Sequence, residues 1–471
     1  WLLPETPFST HIAGFTIIHQ RLVAIFVFAM LSWLLEPIPV FATSICIIFL
    51  QLLTVTKGGF IWLSKAKIVA DDGTTSLEYI EGLLEYKEIF KQFGHPVIML
   101  FVGGFFLALA AKKYELDRNL ARVLLKPFGT NPKMVLLGMI AITAIFSMFM
   151  SNTATTAMML AILMPVLDAF EEDDRGRIAF VLAVPFAANI GGIGTPIGTP
   201  PNAIAMKYFT GDSAISFAQW MAFAIPYVIV TLIPIWLLLV WFYPSKSKEM
   251  ILKISGKFPR STKANIVYVT TAATVLLWMF GSKIGINSYV AAMLPVTVFL
   301  CTDVVNAKDI KTLSWDVLWL MAGGFALGYA LQESGLSEII VHAMPFDKMS
   351  GLVLIAVATV FITFLCTFMS HTATANMILP IMAALATSLG PEILGSFGGG
   401  KTLLIAATFA CSLGMALPVS TPPNAMAYAT GLVNIRDMAK VGSIIALIGF
   451  ATLALMLWIM SLCGMLPVEA M

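Results

Sequence analysis

The sequence predicts an all-α polytopic membrane protein, with about 10–11 transmembrane helices and two re-entrant helical hairpins arranged as an inverted repeat. Three observations carry that expectation. Of 471 residues, 59% are hydrophobic and only 11% charged, where a soluble domain carries about 25% charged residues. Apolar runs long enough to cross a bilayer recur along the whole chain. Polar motifs embedded in those runs occur twice, in the same order. The first observation excludes a water-soluble enzyme, and the net charge of +2 leaves no electrostatic footprint for nucleic acid.

Taken in order, the chain opens on Trp1-Leu2-Leu3-Pro4, without an initiator Met or a visible signal peptide, which reads as the end of an apolar helix. Apolar segments follow at 20–35, 38–56, 97–111, 134–150, 153–170, 179–208, 216–242, 264–282, 286–304, 314–331, 351–369, 372–388, 402–430 and 441–463. Glu36 falls at a span end. The stretch 57–90 is polar and acidic toward its end (Asp71, Asp72, Glu78, Glu81, Glu85, Glu88), which makes it an extramembrane excursion with room for an interfacial helix. Basic residues orient the spans. Lys112, Lys113, Arg118, Arg122, Lys126 and Lys133 put 112–133 in the cytoplasm. Lys246, Lys248, Lys253, Lys257, Arg260 and Lys263 do the same for 243–263, with 305–313 and 432–440 (Arg436, Lys440) on that side. The stretch 332–350, with Lys348 against Glu333, Glu338 and Asp347, lies outside. The acidic-basic turn 171–177, including Glu172, must then be cytoplasmic. The pair 134–150 and 153–170 therefore starts and ends inside, and the pair 351–369 and 372–388 starts and ends outside.

The tips of those two hairpins are alike. One reads Ser151-Asn152-Thr153-Ala154-Thr155, the other Ser370-His371-Thr372-Ala373-Thr374. Downstream of each, at nearly the same distance, comes Gly198-Thr199-Pro200-Pro201-Asn202 or Ser420-Thr421-Pro422-Pro423-Asn424. Upstream of each stands a glycine pair, Gly103-Gly104 or Gly323-Gly324, of the kind that lets helices approach closely. Three matched features in register, in units of opposite orientation, are the signature of a secondary transporter.

The motif has a physical reading. Polar loops at membrane depth survive only inside protein or beside a water-filled cavity. At each tip a helix begins, and its free N–H groups favour an anion, while the preceding helix ends in carbonyls that favour a cation. Proline cannot continue the helical ladder, so the Thr-Pro-Pro-Asn segments release carbonyls one turn back, hard oxygens suited to Na⁺. Two facing halves make a site for a dianion with two cations beside it. Neutral donors are apt, because burying Lys or Arg at membrane depth costs several kcal/mol.

At these residues the sequence resembles the divalent anion:sodium symporter family of di- and tricarboxylate transporters, over almost its whole length. The resemblance implies a homodimer of elevator transporters in a lipid bilayer, with a scaffold and a moving transport domain, and an additional first helix lying mostly before Trp1. On that pattern 1–85 holds scaffold helices and the excursion, and 86–242 is the first inverted repeat, with hairpin tip 151–153 and broken helix 195–203. Residues 243–307 form the basic arm and linking scaffold helices, and 308–471 the second repeat, with tip 370–372 and broken helix 418–425. The family pattern places substrate contacts on Asn152, Thr153, Thr199, Ser370, Thr372 and Thr421, and His371, at the tip between them, is a further candidate. It places a first Na⁺ site on Ser147, Ser151, Asn152 and Gly198, and a second on Cys366, Met369, His371 and Ser420.

The second site departs from the pattern, which has Asn at the middle of the tip and a hydroxyl residue where this chain has Cys366. His371 is open to three readings: contact with the substrate carboxylate, replacement of the second Na⁺ by an imidazolium, or packing as a neutral residue. The function expected is Na⁺-coupled uptake of a C4-dicarboxylate such as succinate, malate or fumarate, in a bacterial inner membrane. A sodium-independent or proton-linked exchanger of the same fold is the alternative, as is citrate or sulfate as substrate. A channel with re-entrant pore loops is a different class that also uses hairpins. No nucleophile–base pair points to an enzyme, and no organic cofactor or nucleic-acid partner is implied. Cys46, Cys301, Cys411 and Cys463 read as buried apolar residues, and His11, His19, His95 and His342 show no metal-ligand spacing.

Overall fold

The computed structural model describes residues 14–69, 75–167, 170–171, 173–247, 249–250, 258–342, 349–389 and 399–463. Trp1–Pro4, His11, Asp71, Asp72, Glu172, Lys248, Lys253, Lys257, Asp347 and Lys348 lie outside the described residues. The main helices are α1 (Ile17–Leu35), α2 (Val40–Thr54), α3 (Pro96–Lys113), α4 (Leu116–Leu125), α5 (Pro132–Ser147), α6 (Asn152–Leu167), α7 (Gly176–Gly192), α8 (Pro200–Met206) and α9 (Phe217–Phe242). They continue with α10 (Thr262–Phe280), α11 (Met293–Cys301), α12 (Trp315–Glu333), α13 (Gly351–Phe368), α14 (His371–Ser388), α15 (Gly399–Cys411), α16 (Pro422–Ala429) and α17 (Ile435–Leu462).

Among the described residues seven helices are long and apolar enough to cross a membrane, and four more are apolar but shorter, including α7 and α15. The chain is a multi-pass membrane protein. Each predicted apolar segment coincides with a helix, or with two where a break was expected. Two corrections apply. The excursion is not simply a helix: Lys65–Val69 and Thr75–Tyr79 pair as an antiparallel β-ribbon, with short helices Ile61–Ser64 and Tyr86–Lys91 on either side. Of the cysteines read as buried, Cys366 and Cys411 are, but Cys46 is half-buried and Cys301 and Cys463, at the ends of α11 and α17, are exposed.

The two repeats interlock instead of standing side by side. α2, which precedes the first repeat, packs on α12 of the second, and α11, which lies between the repeats, packs on α3 of the first. The glycine pairs explain the closeness. A Cβ on Gly323 would lie 2.3 Å from Ser44 Cβ, and one on Gly103 would lie 2.3 Å from the Ala292 carbonyl oxygen. The exchange recurs at the centre. α8 packs on α14 and α15, while α16 packs on α6 and α7.

Polar groups close the ends of these elements. Arg21 Nη1 donates to the carbonyls of Thr54 and Leu63, both at 2.7 Å, capping two helix ends at once. Lys113 pairs with Asp309 at 2.6 Å and Lys263 with Asp303 at 2.7 Å, and Lys246 pairs with Asp173. Each of these pairs joins segments that the charge bias puts on one membrane face. The Asp174 carboxylate accepts from Gly176 N, Ser245 Oγ, Lys246 N and Ser247 N. Burial alone would raise its pKa, but those hydrogen bonds hold it below the usual carboxylate range.

Gly323→Ala is expected to destabilise the protein by about 1–3 kcal/mol through overpacking of α12 on α2. Gly94→Ala, where an added Cβ meets nothing within 4 Å, is expected to be near neutral. Thermal unfolding of both variants in detergent checks the contrast.

Candidate functional site

Each hairpin is a helix, a short turn and a second helix. In the first, α5 ends at Ser147 and α6 begins at Asn152. Ser151 Oγ accepts from Ala154 N at 3.2 Å and caps α6. In the second, Ser370 Oγ accepts from Ala373 N at 3.2 Å and caps α14. The repeated Ser is thus first a capping residue, which holds the start of the second arm in place.

The helix breaks span 193–199 between α7 and α8, and 412–421 between α15 and α16. The second starts earlier than the expected 418. The expectation that these breaks leave their carbonyls free for a cation is corrected: most of them are taken. Asn202 Nδ2 donates to Gly192 O, Ile193 O and Thr195 O at 3.0, 3.1 and 2.8 Å. Asn424 Nδ2 donates to Met415 O and Leu417 O at 2.8 and 3.1 Å and to Ser420 Oγ at 3.2 Å. The Asn of each Thr-Pro-Pro-Asn therefore folds back and braces its own break. Both are fully buried.

What remains in the first repeat is a cluster of oxygens. The inward end of the Asn152 amide lies 2.6 Å from Ser147 Oγ, 3.2 Å from Ala188 O and 3.1 Å from Gly198 O. Ser147 Oγ is 2.7 Å from Ala188 O. A Cβ on Gly198 would meet Gly192 O at 2.4 Å and Ser147 O at 2.9 Å, so glycine there lets the carbonyls converge. Ser147, Asn152 and Gly198 are brought together; Ser151 faces its own helix instead. Hard neutral oxygens at these separations suit a small cation such as Na⁺.

The matching position in the second repeat is built differently. Ser147, Asn152, Asn189 and Gly198 correspond in register to Cys366, His371, Cys411 and Ser420. His371 is buried, and its Nε2 lies 2.9 Å from Gly414 O; a carbonyl only accepts, so Nε2 carries the proton. Ser420 Oγ donates to Leu417 O at 2.6 Å and accepts from Asn424. Cys366 and Met369 are buried, and Gly414 O and Ser420 Oγ already have partners.

Of the remaining anticipated substrate contacts, Thr199 begins α8 with no side-chain capping bond, whereas Thr421 Oγ1 accepts from Asn424 N at 3.2 Å. Thr153 is exposed and Thr372 half-buried. Among the described residues the hydroxyls of Thr153, Thr199 and Thr372 make no hydrogen bond, so they remain available as donors to an anion. Sequence reasoning missed Asn189 and the Ala188 carbonyl, and missed the bracing role of Asn202 and Asn424. Repetition of Thr-Pro-Pro-Asn was a signal for the last two. It also missed Lys207, just beyond α8, whose Nζ donates to Phe325 O at 2.7 Å.

Comparison with known proteins places this geometry. A family model described as citrate transporter (CitMHS) matches residues 26–397. A sodium-dependent dicarboxylate transporter of Staphylococcus saprophyticus is 31% identical over 415 residues, covering 80% of this chain and 78% of its own. An uncharacterized transporter of Haemophilus influenzae is 32% identical, with 85% and 89% covered. A sodium-dependent high-affinity dicarboxylate transporter of Caenorhabditis elegans is 30% identical, with 78% and 74% covered. The crystal structure of the Alcanivorax borkumensis YdaH transporter, described as having an unusual topology, aligns with TM-score 0.55 at 11% identity over 95% of this chain and 99% of that one, a likeness of fold alone.

Asn202→Ala strips three buried carbonyls of their donor. It is expected to cost roughly 3 kcal/mol, read as a lowered unfolding temperature in detergent, while Thr153→Ala leaves that temperature unchanged.

Proposed function

The chain belongs to the divalent anion:sodium symporter family of di- and tricarboxylate transporters, and on that premise we propose that it carries a C4-dicarboxylate into the cell in symport with Na⁺. It is a membrane transporter, not an enzyme. The observation that carries the proposal is the oxygen cluster of Ser147, Asn152, Ala188 and Gly198 beside unpartnered threonine hydroxyls. The one Ser147 hydroxyl hydrogen can serve only Asn152 Oδ1 or Ala188 O, so the other oxygens face one another without a donor, and a cation turns that repulsion into attraction. A cation there offsets part of the charge of a neighbouring dianion, which neutral hydroxyls hold without the grip of Arg or Lys. In this reading Asn152, Thr153, Thr199, Ser370, Thr372 and Thr421 contact the anion. The hairpins and broken helices form a transport domain that slides as an elevator against the scaffold of a homodimer in a bacterial inner membrane.

Relatives named sodium-dependent dicarboxylate transporters support both the ion and the substrate class. The description of the matching family names citrate, so citrate stays as an alternative cargo, with sulfate. A second reading, with one coupling Na⁺ or none, is favoured by a specific contact. The His371 imidazole donates to Gly414 O, and Cys366 and Cys411 stand where the first repeat has Ser147 and Asn189, so the second position is poor in hard oxygen.

Uptake of labelled succinate, citrate and sulfate into proteoliposomes tests the proposal. Succinate uptake that saturates and rises at least fivefold with an inward Na⁺ gradient is the expected result. Uptake indifferent to Na⁺ but driven by internal dicarboxylate would establish the exchanger, and ohmic current a channel. In the same assay His371→Asn is expected to raise the Na⁺ dependence and to flatten the pH profile near 6–7, where an ordinary histidine titrates. An unchanged Na⁺ stoichiometry and pH response would remove His371 from the coupling.

A further inference from the structure

Three asparagine amides run in a line between the repeats, and their orientations depend on one another. Asn424 sits at one end. Its Nδ2 is surrounded by two carbonyls and a hydroxyl, at 2.8, 3.1 and 3.2 Å, so this amide cannot be reversed without setting its oxygen against oxygens. Its Oδ1 must therefore face Asn189, whose Nδ2 lies 3.1 Å away and also reaches Thr421 Oγ1 at 3.3 Å. With its nitrogen committed to the second repeat, Asn189 turns its Oδ1 back to the first, where Asn152 Nδ2 lies 3.5 Å away.

Asn152 receives two opposed instructions. Its neighbours in the first repeat are all oxygens, and a reversed amide would donate to Ala188 O, Ser147 Oγ and Gly198 O. Reversal would bring its oxygen against Asn189 Oδ1, which Asn424 prevents from turning. The line of amides thus favours Asn152 Oδ1 facing Ser147 Oγ, Ala188 O and Gly198 O, where the single Ser147 hydrogen is contested by Ala188 O and a cation satisfies the remaining oxygens. Asn189 is fully buried and has Cys411 as its repeat mate.

The other end of the line bears on the anion. Thr421 Oγ1 accepts from Asn424 N at 3.2 Å and from Asn189 Nδ2 at 3.3 Å. With both lone pairs used, its one hydrogen is left to donate.

We propose that Asn189, itself oriented by Asn424 of the opposite repeat, is a positioning residue that sets the amide orientation of Asn152 toward Na⁺ in the Ser147–Asn152–Gly198 cluster and, through its nitrogen, leaves the Thr421 hydroxyl hydrogen free for the carboxylate. This rests on the transport reading above.

Two variants separate the halves of the device. Asn189→Cys puts into the first repeat the residue that the second already accommodates, and removes both the acceptor for Asn152 and the donor to Thr421. Asn189→Asp keeps the acceptor, but its carboxylate captures the Thr421 hydrogen. Purified protein is titrated with NaCl against choline chloride at constant ionic strength, without substrate, and the Na⁺ midpoint is read from thermal stabilisation. Succinate KM is read separately in proteoliposomes at saturating Na⁺. Asn189→Cys is expected to raise the Na⁺ midpoint about tenfold. Asn189→Asp is expected to leave that midpoint no weaker than in the unaltered protein and to raise succinate KM about tenfold. A folded Asn189→Cys with a midpoint within twofold of the unaltered protein overturns the proposal, and so does an Asn189→Asp that weakens midpoint and KM in parallel. So does an unaltered protein that Na⁺ stabilises no better than choline. An unaltered protein that Na⁺ stabilises but that takes up no succinate refutes the substrate reading instead, and the two Na⁺ midpoints still decide the role of Asn189.

Discussion

Everything at the centre of this protein depends on where the backbone carbonyls of two broken helices find partners. In hydrocarbon an orphaned carbonyl is expensive, so a helix can be interrupted at membrane depth only if something replaces its lost ladder. Here the replacement is internal and repeated. Asn202 collects the carbonyls of Gly192, Ile193 and Thr195, and Asn424 those of Met415 and Leu417. The proline pair in each motif starts the next short helix without needing the hydrogen bonds it has lost. What the asparagines leave over, the carbonyls of Ala188 and Gly198 near Ser147 and Asn152, is the polar material from which a cation site is made.

The repeats share this bracing but not its consequence. Position for position, the first repeat presents Ser147, Asn152 and Asn189 where the second presents Cys366, His371 and Cys411. Imidazole N–H and thiol are poor ligands for a hard cation, and the His371 hydrogen is already given to Gly414 O. The two halves therefore share their hairpin, break and asparagine brace while their chemistry is one-sided. The amide line from Asn152 through Asn189 to Asn424 crosses between the halves, so the asymmetric chemistry is not confined to one of them.

Each repeat also packs closely on helices outside it. Glycines at 103 and 323 let helices from different parts of the chain approach until a Cβ would clash, which buries backbone and small polar side chains where bulky residues would hold the helices apart. Close packing without a hydrophobic driving force is how membrane helices associate, and it leaves charge to the rims. The ion pairs of Lys113, Lys246 and Lys263 sit in connecting segments, away from the central breaks.

By itself the sequence determined the membrane class, the order of nearly every helix, the two hairpins, the two breaks and their pairing as a repeat. Those follow from hydropathy and from motifs that recur within a few residues, which are local properties. The β-ribbon at 65–79 escaped because its strands are short and lie in a polar stretch with no period to read. Asn189 escaped for a different reason. It has no repeat mate, since Cys411 stands in its place, and a lone amide in an apolar helix has no local mark of importance. Only the tertiary structure set it between Asn152 and Asn424, because hydrogen bonds are directional and the donors and acceptors that orient this amide come from helices more than two hundred residues apart.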